Sequence, residues 1–160
     1  MKLQVLAVGG TIDKVYFDAL SEYHIGAPAA LEILQRVKAN FDYDVTQMIS
    51  KDSLDMTDED RREILSAVQA HSGEHVIITH GTDTMVDTGQ VLKAATGKTI
   101  VIMGAMAPAI IKLTDADFNL GVAVAAVQSL PQGVYLCMNG RIYNVDKVVK
   151  NRAEGQFQDA

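Results

Sequence analysis

The run Val76-Ile77-Ile78-Thr79, followed at once by His80-Gly81-Thr82-Asp83-Thr84, constrains this chain more than any other stretch. Side chains branched at Cβ crowd a helix and suit a pleated strand, and an apolar run without polar alternation belongs to a strand covered on both faces. The run ends abruptly in an imidazole, a glycine and a polar triplet. Met85, Gly89 and Leu92 then follow at helical spacing. The polar cluster therefore lies on a strand-to-helix turn, at the carboxyl edge of a sheet, where helix amides face whatever occupies the crevice.

The same grammar recurs along the chain. Leu3 to Val8 reads as a buried strand stopped by Gly9-Gly10, Val45 to Ile49 as a second ending in the polar turn Ser50 to Met56, and Thr99 to Met103 as a fourth. Pro131-Gln132-Gly133 turns into the fifth. Helices are predicted after Pro28 (Ala30, Leu34, Val37), behind the capping pair Thr57 and Asp60 (Ile64, Leu65, Val68), after the central motif, and through Leu120, Val124 and Val127. Five strands with intervening helices and no repeat or linker predict an α/β fold, a doubly wound, mainly parallel sheet flanked by helices, in a single domain over 1–160. A chain of 160 residues that is 48% hydrophobic has enough apolar material for one such core.

Composition narrows the function classes. A net charge of -6 argues against nucleic acid as the main ligand, and no apolar stretch approaches a membrane span. Met1-Lys2-Leu3 runs straight into a strand pattern, so a cytoplasmic protein without a signal peptide is expected. Cys137, in the apolar run Val134 to Met138, reads as a core residue. His71 and His75 have the spacing of a helical metal pair, but Gly73 breaks the helix between them, and no metal is expected.

What remains at the strand ends is a set of hydroxyls, carboxylates and an amine. Gly9-Gly10 either makes a tight turn that happens to contain Thr11 or displays its hydroxyl at the sheet edge. Asp13 to Gly26 is polar and aromatic without a clean period, as in a lid or binding loop, and its Tyr23 either packs on the sheet edge or exchanges a proton with a hydroxyl nucleophile. Ser53 and Asp55 either brace their turn or hold a ligand's amino group. Thr82 and Asp83 occupy the central turn. The basic segment Arg141, Lys147, Lys150 and Arg152 reads as a solvated face, unless Lys150 returns to Asp83 as a proton carrier. A threonine is a weak nucleophile until a neighbour takes its proton, so two hydroxyls, one near a phenol and one near an acid and an amine, point to acyl transfer. Backbone amides at the turns would hold the oxyanion. The residues by themselves support a small-molecule hydrolase or binding domain.

Gly9-Gly10-Thr11-Ile12 and His80-Gly81-Thr82-Asp83-Thr84-Met85 together resemble the two signatures of the bacterial-type L-asparaginase/glutaminase family. That resemblance implies Thr11 as primary nucleophile, assisted by Tyr23 in the family-like stretch Tyr23-His24-Ile25-Gly26, and a second group made of Thr82, Asp83 and Lys150. It implies substrate contacts at Gly10, Ser53, Asp55 and Gly81, with the serine of Ser53-Leu54-Asp55-Met56 on the substrate carboxylate. The implied reaction is hydrolysis of L-asparagine, or L-glutamine, to the acid and ammonia, with no cofactor, in a homo-oligomer, expected as a dimer. Three positions depart from the family pattern. Leu54 stands for a substrate-contacting glutamine, Ala107 for the arginine of Gly-Ala-Met-Arg-Pro, and Asp13 for a small residue. The resemblance is to the family's amino-terminal domain, and its smaller second domain is expected to be absent. A catalytically weak binding module for aspartate-like ligands and a subunit of a larger amidotransferase-like complex are the competing readings.

Overall fold

The computed structural model describes residues 1–160. In chain order the elements are β1 (Lys2–Gly9), a hairpin of β2 (Lys14–Phe17) and β3 (Glu22–Ile25), α1 (Ala29–Arg36), β4 (Asp42–Lys51), α2 (Asp58–Ala70) and β5 (His75–Thr79). There follow α3 (Met85–Leu92), β6 (Thr99–Met103), α4 (Ala116–Ser129), β7 (Gly133–Met138), β8 (Arg141–Asn144) and a second hairpin, β9 (Val148–Asn151) with β10 (Gln156–Asp159). The main sheet has six strands in the order β4-β1-β5-β6-β7-β8. Its first five are parallel and β8 runs antiparallel on β7. No helix is long and apolar enough to cross a membrane.

Alternation along the central strands splits the core into two layers. Leu6, Val8, Val76, Ile78, Ile100, Ile102 and Leu136 pack under α2 and α3, with Ile64, Val68, Met85 and Leu92 opposite. Leu3, Val5, Ile77, Val101, Met103 and Cys137 face α1 and α4, meeting Ile33, Leu34, Leu120, Ala123 and Val127. Each such side chain contributes about 1.5–3 kcal/mol by leaving water, so neither layer is dispensable. Cys137 is fully buried and its thiol is pushed up to about 12 by that burial, which makes it a core residue. The doubly wound sheet predicted from the pattern is the fold observed.

Three details differ from the sequence-based expectation. Asp13 to Gly26 is not a plain loop. It contains the β2–β3 hairpin, in which Tyr16 and Tyr23 pair edge-to-face at 5.5 Å and Phe17 does the same with His24 at 5.1 Å. Both faces of this ribbon are largely exposed, so no alternation marks it. β4 begins at Asp42, earlier than its apolar part, because an edge strand keeps polar residues on one side. The chain beyond β7 is folded into strands rather than a tail, although Arg141, Lys147 and Arg152 are exposed as expected: Asn139-Gly140, with φ 54° and 77°, turns it tightly into β8. That turn carries the Asn-Gly hairpin signal.

Glycine decides how the carboxyl edge closes. Gly10 has φ 85°, and a Cβ built there would lie 2.3 Å from the Gly81 nitrogen. A Cβ on Gly81 would lie 2.6 Å from the Ser53 side chain. The turns after β1, β4 and β5 thus touch backbone to backbone. Gly10→Ala is expected to cost more than about 3 kcal/mol, from left-handed strain plus a backbone clash. Gly97→Ala, with φ 75° but nothing within 4 Å of the new Cβ, is expected to cost only about 1 kcal/mol. Urea midpoints measure both, and equal losses would show that the contact is not tight.

Candidate active site

The strand order reverses between β4-β1 and β5-β6-β7, so the connections leave the carboxyl ends of β1 and β5 in opposite directions. Such a switch point is where open α/β sheets bind ligands. Thr11 opens the short 3-10 turn Thr11–Asp13 just past β1, and Thr82 follows β5 by three residues. The Gly10–Gly81 contact sets the two turns side by side.

The turn after β4 is pinned to both. Gly10 N–H donates to the Lys51 carbonyl at 3.0 Å, and the Thr84 hydroxyl donates to the Ser53 carbonyl at 2.8 Å. The Asp83 N–H donates to Ser53 Oγ at 3.3 Å. Behind it the predicted cap is realised in full: Thr57 Oγ1 accepts from Asp60 N–H, and Asp60 accepts from Thr57 N–H. Lys51 Nζ also reaches both Asp60 oxygens at 2.8 Å, and with Thr57 it holds that carboxyl down at about 2.

Lys150 arrives from the opposite end of the sequence. β9 carries it over the α3 side of the sheet, where Val145, Val148 and Phe157 seat the C-terminal hairpin on the core. Its ammonium donates to Thr82 Oγ1 at 2.8 Å and to Asp83 Oδ1 at 2.6 Å, with its side chain only 11% exposed. Hydroxyl, carboxylate and amine therefore form one cluster.

A buried relay fixes the central turn. His80 is wholly enclosed, with Nδ1 2.7 Å from the Gly81 carbonyl and Nε2 2.8 Å from the Thr88 hydroxyl. A carbonyl only accepts, so Nδ1 carries the proton and Nε2 accepts from Thr88, whose oxygen accepts from Arg61 Nε at 3.3 Å. Burial pushes His80 down to about 4, so the ring is neutral and holds this tautomer. His80, Thr88 and Arg61 were not legible as a unit in the sequence, because their meeting is purely tertiary.

Other expected residues stand apart. Tyr23 is half exposed on β3, and its hydroxyl is not hydrogen-bonded to Thr11. The Thr11 hydroxyl has no partner within the chain. Asp55 and Leu54 face outward, Leu54 at 64% exposure. The Lys14 ammonium pairs with Asp52 at 3.0 Å beside Ser53, and it holds that carboxyl below its ordinary range. His71 and His75 lie on either side of the α2–β5 turn, and no three His, Cys, Asp or Glu side chains gather as a metal cage.

Asp13 shares the Thr11 turn and is 3% exposed. Its Oδ1 takes the Ala29 N–H at 2.8 Å, and burial raises its pKa to about 6 against an ordinary 3.8. A raised carboxyl favours the folded state fully below the unfolded value and loses that favour as pH climbs through 6. Asp13→Asn keeps an acceptor for Ala29 and removes the buried charge. It is expected to raise stability by roughly 2 kcal/mol at neutral pH and by little below about pH 4. Urea unfolding across that range checks the sign, and a gain that grows towards acid would refute it.

Residues 2–157 match the family profile described as "Asparaginase, N-terminal". A probable periplasmic L-asparaginase of Haemophilus influenzae is 31% identical over 159 residues, covering 92% of this chain and 46% of the relative. The thermostable L-asparaginase of Thermococcus kodakarensis superposes with a TM-score of 0.83 at 27% identity, over 99% of this chain and 51% of that one. A probable cytoplasmic L-asparaginase of Campylobacter jejuni gives 0.82 at 26%, over 99% and 51%. The chain thus spans about half the length of the proteins it matches. On this match across nearly its whole length, the chain belongs to the asparaginase family.

Proposed function

We propose that this chain hydrolyses the carboxamide of L-asparagine to L-aspartate and ammonia. One observation carries the reading: Lys150 joins Thr82 and Asp83 at 2.8 and 2.6 Å, beside the turn that presents Thr11. Two hydroxyls flanking one carboxamide suit its two needs. One oxygen meets the carbonyl carbon, while the other, relayed through an amine and a carboxylate, moves a proton towards the departing nitrogen. Thr11 takes the first role, either forming an acyl-threonine that water then opens or orienting water for direct attack. Thr82, Asp83 and Lys150 take the second. Tyr23 would reach Thr11 by movement of the β2–β3 ribbon, whose far end, with Tyr16, Phe17 and Tyr23, is exposed. Gly10, Gly81, Ser53 and Asp55 line the turns against which the amino-acid head would rest.

A second reading has its own support. The Thr11 hydroxyl lacks an activating partner, and Leu54 presents carbon at 64% exposure beside Ser53. A binding module that keeps an aspartate-shaped site with little turnover would look like this.

Ammonia release from L-asparagine, run beside L-glutamine, separates the two. Turnover is expected, falling at least about a hundredfold in Thr11→Ala and in Lys150→Ala. Aspartate binding by calorimetry without turnover would favour the binding module, and neither binding nor turnover would refute both.

A further inference from the structure

A cavity of about 680 Å3 lies behind the Thr11–Asp13 turn, between α1 and the segment that follows β6. None of the residues assigned to the amide site lines it. Its walls are mixed, half of the lining residues being hydrophobic, with Ile12, Val15, Leu31, Ile33, Ile110 and Ile111 among them, and the volume falls in the range of small-molecule pockets. Ile110 and Ile111 keep 56% and 39% of their surface in water at its mouth. Inside stands Asp13, 3% exposed, with one oxygen held by Ala29 N–H at 2.8 Å and Oδ2 accepting no hydrogen bond within the chain while keeping access to the cavity. A carboxylate so largely buried is favoured by a positive or proton-donating group that enters the cavity and meets this oxygen.

The neighbouring charges leave that demand open. Lys14 of β2 is committed to Asp52 at 3.0 Å, and Arg36 of α1 to Asp117 of α4 at 3.0 Å. Of the remaining charged lining residues, Asp13 and Glu32 are acids and Lys112 is a base, none of them in an ion pair. The balance of unpaired charge is negative, beside an apolar half of the wall that includes Ile110 and Ile111.

We propose that this cavity is a second ligand site, taking a small organic cation: an ammonium group on Asp13 with a compact apolar body against Ile110 and Ile111. The site is independent of whether the amide site turns over. Because Asp13 and Thr11 share one turn, its occupancy is felt at Thr11.

Titration of the isotopically labelled chain with benzylammonium and with benzyl alcohol, followed by amide NMR shifts, tests the site. At about pH 7.5, benzylammonium is expected to move the amides of Thr11, Asp13, Ala29 and Ile111 and to bind at least about tenfold more tightly than the alcohol. Asp13→Asn and Ile111→Lys are each expected to weaken it about tenfold, and acidification through pH 6 to weaken it as Asp13 takes its proton. Should Asp13→Asn fail to fold, the probe pair and Ile111→Lys decide alone. Shifts elsewhere in the chain, no shifts at all, or equal affinity for the two probes would overturn the proposal.

Discussion

The contact between the Gly10 and Gly81 backbones is the constraint on which the rest of this edge depends. Two parallel neighbours, β1 and β5, end side by side, and a side chain at Gly10 would push their turns apart, while one at Gly81 would push the central turn off Ser53. With hydrogen in place of Cβ, the Thr11 turn and the Thr82 turn close on each other, and the Ser53 turn closes on both. The sheet supplies direction and the glycines supply proximity. Without that proximity, a hydroxyl on one turn and a lysine–carboxylate pair on another would be unrelated surface groups.

Around this contact the chain adds restraint at a distance. The Arg61–Thr88–His80 relay reaches the Gly81 carbonyl from α2 and α3, and a neutral imidazole suits it, since protonation would place a charge in a fully enclosed position. Lys51 and the Thr57 cap hold the Ser53 turn from the other side. Lys150 depends on the C-terminal hairpin, whose Val148 and Phe157 bury themselves in the α3-side core. The basic residue is thus positioned by apolar neighbours, Val148 two positions before it on β9 and Phe157 directly opposite it on β10. The turn after β1 is looser: it is bound through Asp13 to α1 and through the Ile12 carbonyl to Ala109, leaving its hydroxyl free.

Much of the fold was legible in the sequence, because buried parallel strands carry uninterrupted β-branched runs and each ends in a turn with its own chemistry. The five parallel strands, the four α-helices and the capping box at Thr57 all follow from local pattern. The β2–β3 ribbon was not legible, since neither of its faces is buried enough to impose alternation. β8 was missed for a different reason: Asn139-Gly140 announces it, but the neighbouring charges suggested a solvated segment. At the site, Thr82, Asp83 and Lys150 were named from the sequence and lie together in the structure. Tyr23 and Asp55 were named as well, and the structure leaves them outside that cluster. The relay through His80 and the free oxygen of Asp13 depend on contacts between distant segments, for which no single stretch carries a mark.

A crystal structure of this chain grown with L-aspartate measures the central claim most directly, because it locates a ligand without requiring turnover. The account predicts density for the amino acid at the shared rim, its side-chain carboxylate between the Thr11 and Thr82 hydroxyls and its head group against the Ser53 turn. Aspartate found away from those turns, or Thr11 and Thr82 hydroxyls too far apart to touch one carboxylate, would contradict it.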